Sequence, residues 1–75
     1  MYIVLGTSNC EFCNKAKNLL EEKGIAFMPY SVDTVSSRWL LTLMRQAGMK
    51  TVPQIWDNEG HHVGGYNELK ERLND

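Results

Sequence analysis

The chain has 75 residues, 43% hydrophobic and 23% charged, with a formal net charge of −1. That length holds one domain with a thin core, since so short a chain buries only about 60% of its unfolded surface. The composition excludes disorder through low hydrophobicity, and the near-zero charge argues against a nucleic-acid binder, which at this size is normally basic.

Tyr2-Ile3-Val4-Leu5 is a short apolar run closed by Gly6, the pattern of a buried strand. Met1 to Gly6 lacks the basic lead of a signal peptide, and no apolar run approaches the roughly 18 residues of a membrane span. A cytoplasmic chain is expected. Thr7-Ser8-Asn9 are good helix caps. A helix is expected from about Cys10 to Lys23, with Cys13, Ala16 and Leu20 on one face and Gly24 as its terminator. Phe27 to Val32 follows as a strand, and Pro29 suggests an edge position. Asp33 or Thr34 can cap a second helix whose apolar face is Leu40, Leu43, Met44 and Ala47, ending at Gly48. Pro53 opens a third strand, Gln54-Ile55-Trp56. Asp57-Asn58-Glu59-Gly60 is turn chemistry, and His61-His62-Val63 returns as a fourth strand. Gly64-Gly65 breaks it. A last helix from Asn67 carries Leu69 and Leu73, with Tyr66 just before it. The order βαβ, α, ββα implies a parallel pair with a right-handed crossover, then an antiparallel hairpin. The fold class is α/β: a small mixed sheet flanked by helices.

The two cysteines, Cys10 and Cys13, lie three residues apart. A secreted scaffold of this length would carry about four to eight cysteines. Cross-linking so short a loop removes little chain entropy, so the pair is a poor staple. Its position offers a chemical reason. Cys10 falls at a helix N-terminus, where free amides and the macrodipole stabilise a thiolate, the nucleophilic form. Cys13 lies one turn on, facing the core with Ala16 and Leu20. An exposed, acidified sulfur beside a sheltered one suits an attacking and a resolving thiol. The competing readings are two incidental buried cysteines or a zinc site. Zinc would need two further ligands. His61 and His62 are adjacent on a strand and point to opposite faces, and the His-x₃₋₅-His spacing is absent.

Three blocks in this order resemble the glutaredoxin family of the thioredoxin fold: Cys10-Glu11-Phe12-Cys13, Thr51-Val52-Pro53-Gln54-Ile55, and Gly64-Gly65-Tyr66-Asn67-Glu68-Leu69. The likeness covers nearly the whole chain. It implies a four-stranded sheet in order 2-1-3-4 flanked by three helices, and electrons drawn from glutathione. Cys10 is then the nucleophile and Cys13 the resolving thiol. Pro53 is expected in the cis form, leaving the Val52 N–H and C=O to pair with the glutathione backbone as an added strand does. Substrate binding is carried over to Phe12, Thr51, Val52, Pro53, Gln54, Gly65, Tyr66 and Asn67. Gly65 admits close approach to a ligand, or simply ends a strand. Asn67 faces the γ-glutamyl end of glutathione, caps the last helix, or does both. Gln54 either meets the glycyl carboxylate or is a solvent-facing strand residue.

The chain departs from the family pattern at two places beside Cys10. Many relatives have Pro-Tyr between the cysteines, where this chain has Glu11-Phe12. Many also carry Lys or Arg three residues before the first cysteine, where this chain has Thr7. An added carboxylate and a missing cation both disfavour a second anion. A less acidic Cys10 is expected, and a potential more reducing than the roughly −200 to −230 mV of glutaredoxins. Arg38 or Lys50 could replace the cation or be ordinary surface charges. Trp39 is expected as a partly exposed packing residue, with partner docking as the alternative. Trp56 is expected to pack on its strand, and His61 and His62 to sit on the hairpin surface.

The resemblance thus implies a monomeric dithiol glutaredoxin with no metal, acting on protein disulfides or glutathionylated cysteines. A ribonucleotide reductase is a recipient by family analogy. The alternatives are a glutaredoxin-like redoxin reduced by thioredoxin reductase, and a non-enzymatic zinc or iron–sulfur binding protein.

Overall fold

A computed structural model describes residues 1–74. The elements run β1 (Tyr2–Gly6), α1 (Glu11–Glu22), β2 (Phe27–Ser31), a 3₁₀ turn (Val35–Ser37), α2 (Arg38–Gln46), β3 (Gln54–Trp56), β4 (His62–Gly64) and α3 (Tyr66–Arg72). The sheet order is β2-β1-β3-β4, as the resemblance implied. β1 pairs with β2 in parallel and with β3 antiparallel, and β3 pairs antiparallel with β4. This is the thioredoxin-like arrangement.

Alternation along β1 assigns the two faces of the sheet. Tyr2 and Val4 join Ile55 beneath α1 and α3, in a core with Ala16, Leu19, Leu20 and Leu69. Leu20, Ile55 and Leu69 are wholly buried. Leu5 faces the other way and packs with Val32 and Met44 under α2. Pro29 sits on the outermost strand, where a missing N–H breaks no interior ladder. Gly24 ends α1 with φ +68°, a conformation that glycine adopts without a Cβ clash.

Four boundaries differ from expectation. The second strand stops at Ser31, and Val32 is buried beyond it. Thr34 leads into the 3₁₀ turn, and α2 begins only at Arg38, with no side-chain cap. Asp33 caps no helix, because its carboxylate is taken by Ser8, whose N–H and Oγ donate to Oδ2 at 3.2 and 2.6 Å. β4 starts at His62, one residue late, since His61 belongs to the turn. There its N–H and that of Glu59 both donate to Asp57 Oδ1 at 2.9 Å. Tyr66, not Asn67, opens α3. The Arg72 guanidinium donates to Asp57 Oδ2, tying α3 to the hairpin.

The predicted apolar face of α2 is only half covered. Met44 is buried and Leu40 half-buried, but Leu43 and Ala47 are exposed. A groove of about 570 Å³ separates α2 from the sheet, lined by Ile3, Leu5, Trp39, Leu43 and Trp56 among others. Among the described residues α2, nine residues long, is the one α-helix over this face of the sheet, and Val32, Met49 and Val52 add to its cover from the loops. Trp39 is correspondingly exposed.

Candidate active site

Cys10 is the N-cap of α1, in extended conformation, and the Cys13 N–H donates to its sulfur at 3.1 Å. A sulfur therefore occupies the place that a serine or threonine oxygen takes in an ordinary N-cap. In the reduced protein the same amide and the dipole of a 12-residue helix would act on a thiolate, with a charge-assisted bond. Cys10 is half-buried and Cys13 is 1% exposed, the asymmetry expected of an attacking and a resolving sulfur. The two are joined as a disulfide, with Cα atoms 5.2 Å apart.

Cys13 fits against β1 only because position 6 has no side chain. A Cβ on Gly6 would stand 2.6 Å from Cys13 Sγ. Sequence reasoning treated Gly6 as a strand terminator and missed this role. Its one local signal is a glycine closing the strand that precedes the Cys-x-x-Cys pair.

Facing Cys10 is the segment before β3. The Val52–Pro53 peptide is cis, and the Val52 carbonyl oxygen lies 3.9 Å from Cys10 Sγ. Residues 51–53 precede the ladder of β3, so the backbone here is not consumed by the sheet. A groove of about 170 Å³ opens beside it, lined by Phe12, Thr51, Val52, Pro53, Gly65, Tyr66, Asn67 and Glu68. Every predicted binding residue but Gln54 lines it.

Gln54 is neither solvent-facing nor available through its amide nitrogen. It is 7% exposed, and its Nε2 donates to the Thr51 carbonyl at 2.9 Å and to Thr51 Oγ1 at 3.3 Å. Its Oε1 lies 2.7 Å from His62 Nε2. His62 itself is exposed, as expected, with its ring centroid 4.9 Å from that of Trp56.

Asn67 does not cap the last helix. Gly65 is the N-cap, and Asn67 sits in the first turn, on the groove. Glu68 was not anticipated as a lining residue. Its Oε1 accepts the Gly65 N–H at 2.7 Å, the returning half of a capping box. The sequence signal was an acid three residues after the cap. Gly64 has φ +119°, and a Cβ there would meet Glu68 Cγ at 2.9 Å. At Gly65 the close neighbours of a Cβ would be Glu68 Oε1 at 3.2 Å and the Pro53 carbonyl at 3.6 Å.

The groove wall is aromatic. Phe12 and Tyr66 stand 6.0 Å apart, tilted by 38°. Lys15 Nζ lies 5.0 Å from the Phe12 ring centre and Lys70 Nζ 5.6 Å from that of Tyr66. Lys15 also reaches Glu11 at 3.8 Å. Among the described residues no lysine or arginine lines the groove, and neither Arg38 nor Lys50 approaches it closely enough to line it. Among the same residues, no group of three or more His, Cys, Asp or Glu side chains could hold a metal ion.

Residues 1–63 match the family model for glutaredoxin. The chain belongs to the glutaredoxin family. It is 40% identical over 67 residues to a glutaredoxin of Pseudomonas aeruginosa, covering 89% of this chain and 77% of that one. Among solved structures it is similar to glutaredoxin 1 from Francisella tularensis complexed with cacodylate, with TM-score 0.79 and 32% identity over 97% of this chain and 91% of that one. It is also similar to a buckwheat glutaredoxin–glutathione complex, with TM-score 0.83 and 25% identity over 99% of this chain and 68% of that one. Glutaredoxins are thiol–disulfide oxidoreductases, and Cys10–Cys13 is the redox-active disulfide of this one.

Proposed function

We propose that the chain is a glutathione-dependent dithiol oxidoreductase that reduces protein disulfides and glutathionylated cysteines. The observation that carries this reading is the Val52 backbone beside Cys10, outside the sheet ladder and lining a groove. A cysteinyl peptide laid along it as an extra strand brings its sulfur to Cys10. The glutathione complex of the buckwheat neighbour supports the same use of the groove.

The Cys10 thiolate attacks one sulfur of the substrate disulfide. That S–S bond breaks, and one substrate sulfur leaves as a thiolate and takes up a proton. The Cys13 thiolate then attacks Cys10 Sγ and expels the second substrate sulfur, leaving the Cys10–Cys13 disulfide seen here. Two electrons have passed to the substrate. One glutathione thiolate reopens the disulfide at Cys10, and a second attacks that mixed disulfide, giving oxidised glutathione and the dithiol. With a glutathionylated cysteine, Cys10 takes the glutathione, and either Cys13 or a second glutathione resolves the intermediate. The protein works as a cytoplasmic monomer without metal, and a ribonucleotide reductase fits as one recipient.

A second reading, reduction by thioredoxin reductase, is favoured by one observation. Glutathione carries two carboxylates, and the groove offers neither a lining cation nor a basic residue at Thr7. A coupled NADPH assay decides between them. Turnover with glutathione and its reductase supports the first; turnover with thioredoxin reductase alone overturns it. Cys10→Ser is expected to lose all activity. Cys13→Ser should keep deglutathionylation, because glutathione can resolve the mixed disulfide.

A further inference from the structure

We propose that Gln54 and His62 are positioning residues: they hold the Thr51–Val52 segment against Cys10 through a chain of hydrogen bonds that His62 polarises. The proposal rests on reading the groove beside Val52 as the substrate site.

The segment needs such support. Residues 51–53 lie before the first ladder pair of β3, so the sheet does not fix them. What holds Thr51 is the Gln54 side chain, which donates to its carbonyl at 2.9 Å and to its hydroxyl at 3.3 Å. Val52 follows directly, with its carbonyl 3.9 Å from Cys10 Sγ. Gln54 is the only buried polar side chain among the described residues.

A buried primary amide has two nearly isosteric orientations, with oxygen and nitrogen exchanged. In the flipped form, Gln54 Oε1 would face the Thr51 carbonyl, acceptor against acceptor. His62 opposes that flip. Its Nε2 lies 2.7 Å from Gln54 Oε1, so the imidazole donates from Nε2 and the amide oxygen is claimed. The neutral ring must then carry its proton on Nε2. The ring is held at this angle by Trp56, 4.9 Å away between centroids and paired with His62 across β3 and β4. An exposed side chain on one strand thereby sets the donor direction of a buried one, which in turn sets the backbone facing the nucleophile.

The test compares His62→Glu with His62→Gln. Both are close in length, but at neutral pH glutamate has no proton to donate and glutamine has two. Initial rates would be measured against a glutathionylated peptide, with glutathione saturating. His62→Glu is expected to raise KM by roughly three- to tenfold, the effect of one hydrogen bond, with kcat little changed. His62→Gln is expected to restore KM. The rate of Cys10 alkylation by iodoacetamide, which needs no groove, should stay constant. A purely structural role would lower thermal stability and spare this donor-specific split. Equal KM for the two variants, or alkylation falling with them, overturns the proposal.

An independent measurement reads the wild type alone. Imidazole ¹⁵N shifts of the neutral His62 ring should show the Nε2–H tautomer, and an Nδ1–H tautomer overturns the proposal. This measurement stands if no glutathionylated peptide is turned over, a result that would refute the glutathione reading and leave the positioning chain to be judged on the tautomer.

Discussion

Replacing Gly6 by alanine tests the packing of Cys13. The added Cβ would lie 2.6 Å from Cys13 Sγ and 3.1 Å from Cys13 Cβ. Unstrained non-bonded contacts of this kind lie near about 3.5–4.0 Å, so something must retreat by roughly 1 Å. Neither side can do so freely. Gly6 is paired with Ser31, and its carbonyl accepts the Val32 N–H at 2.8 Å. Cys13 is 1% exposed and tethered both to α1 and to Cys10. Forcing a methyl into such a site costs about 1–3 kcal/mol. For a domain of this size each kcal/mol moves the melting temperature by roughly 4–8 °C, which places the loss between about 4 and 24 °C. The assay is thermal melting of the oxidised and the reduced protein, followed by circular dichroism. Both forms should fall, because the clash is with Cys13 Sγ and Cβ themselves and not with the bond to Cys10. A Gly6→Ala melting temperature indistinguishable from wild type in both forms would refute the packing argument.

Glu11 is the first residue of α1, a position that tolerates proline, so Glu11→Pro removes a carboxylate without breaking the helix. At roughly 7 Å in water one charge is worth about 0.6 kcal/mol, or about 0.4 of a pH unit at Cys10, and Lys15 at 3.8 Å from the carboxylate opposes part of it. Thiolate absorbance against pH should move down by up to that amount, and an unmoved titration disposes of Glu11 as a tuning residue. The Asp57 carboxyl is held below its usual 3.8 by the His61 amide first, and also by Arg72 and the Glu59 amide. A depressed folded-state value means the stabilisation is present above pH 3.8 and is lost as pH falls through the folded value. Urea unfolding of Asp57→Asn should therefore show lower stability at neutral pH and a shallower decline below about pH 4; parallel curves would count against it. Leu69→Ala, at a fully buried position between α3 and the sheet, should lose about 2–5 kcal/mol in the same assay.

What could be read from the residues was whatever depends on near neighbours. Cys10 at a helix start and Cys13 one turn inward follow from spacing alone, as do the edge position of Pro29 and the turn at Asp57. The strand order and the cis form of Pro53 came only with the family resemblance. The misplaced features each answer to a distant partner. Asp33 is a good helix cap locally, but Ser8, 25 residues earlier, takes its carboxylate. Gln54 seemed free for a ligand until β4 brought His62 beside it, eight residues on. Gly6 gains its meaning from a sulfur that the crossover through α1 carries back over the end of β1.

The site lies where it does because three strands end together. β1 runs up to Gly6, and β3 begins there in the opposite direction, with Leu5 paired to Gln54. β4 returns antiparallel to β3, with Ile55 paired to Gly64. The end of β1, the start of β3 and the end of β4 therefore share one edge of the sheet, and α1 starts above it. At that edge the ladders stop, so residues 51–53 line the groove outside the sheet ladder, with the Val52 carbonyl turned toward Cys10. The same termination leaves the segment without sheet hydrogen bonds to hold it, and a side-chain amide supplies them. The backbone recognition and the Gln54 positioning role proposed above would thus be two consequences of one topology. The electrostatics of the edge are set separately, by which side chains the loops happen to carry. Among the described residues the one charged residue lining the groove is Glu68, and its carboxylate accepts the Gly65 N–H. A peptide held mainly through its backbone can bind such a groove without a cation. On the proposed glutathione reading, specificity over other thiols would come from shape and backbone pairing, and the comparison of the two reductants tests that reading.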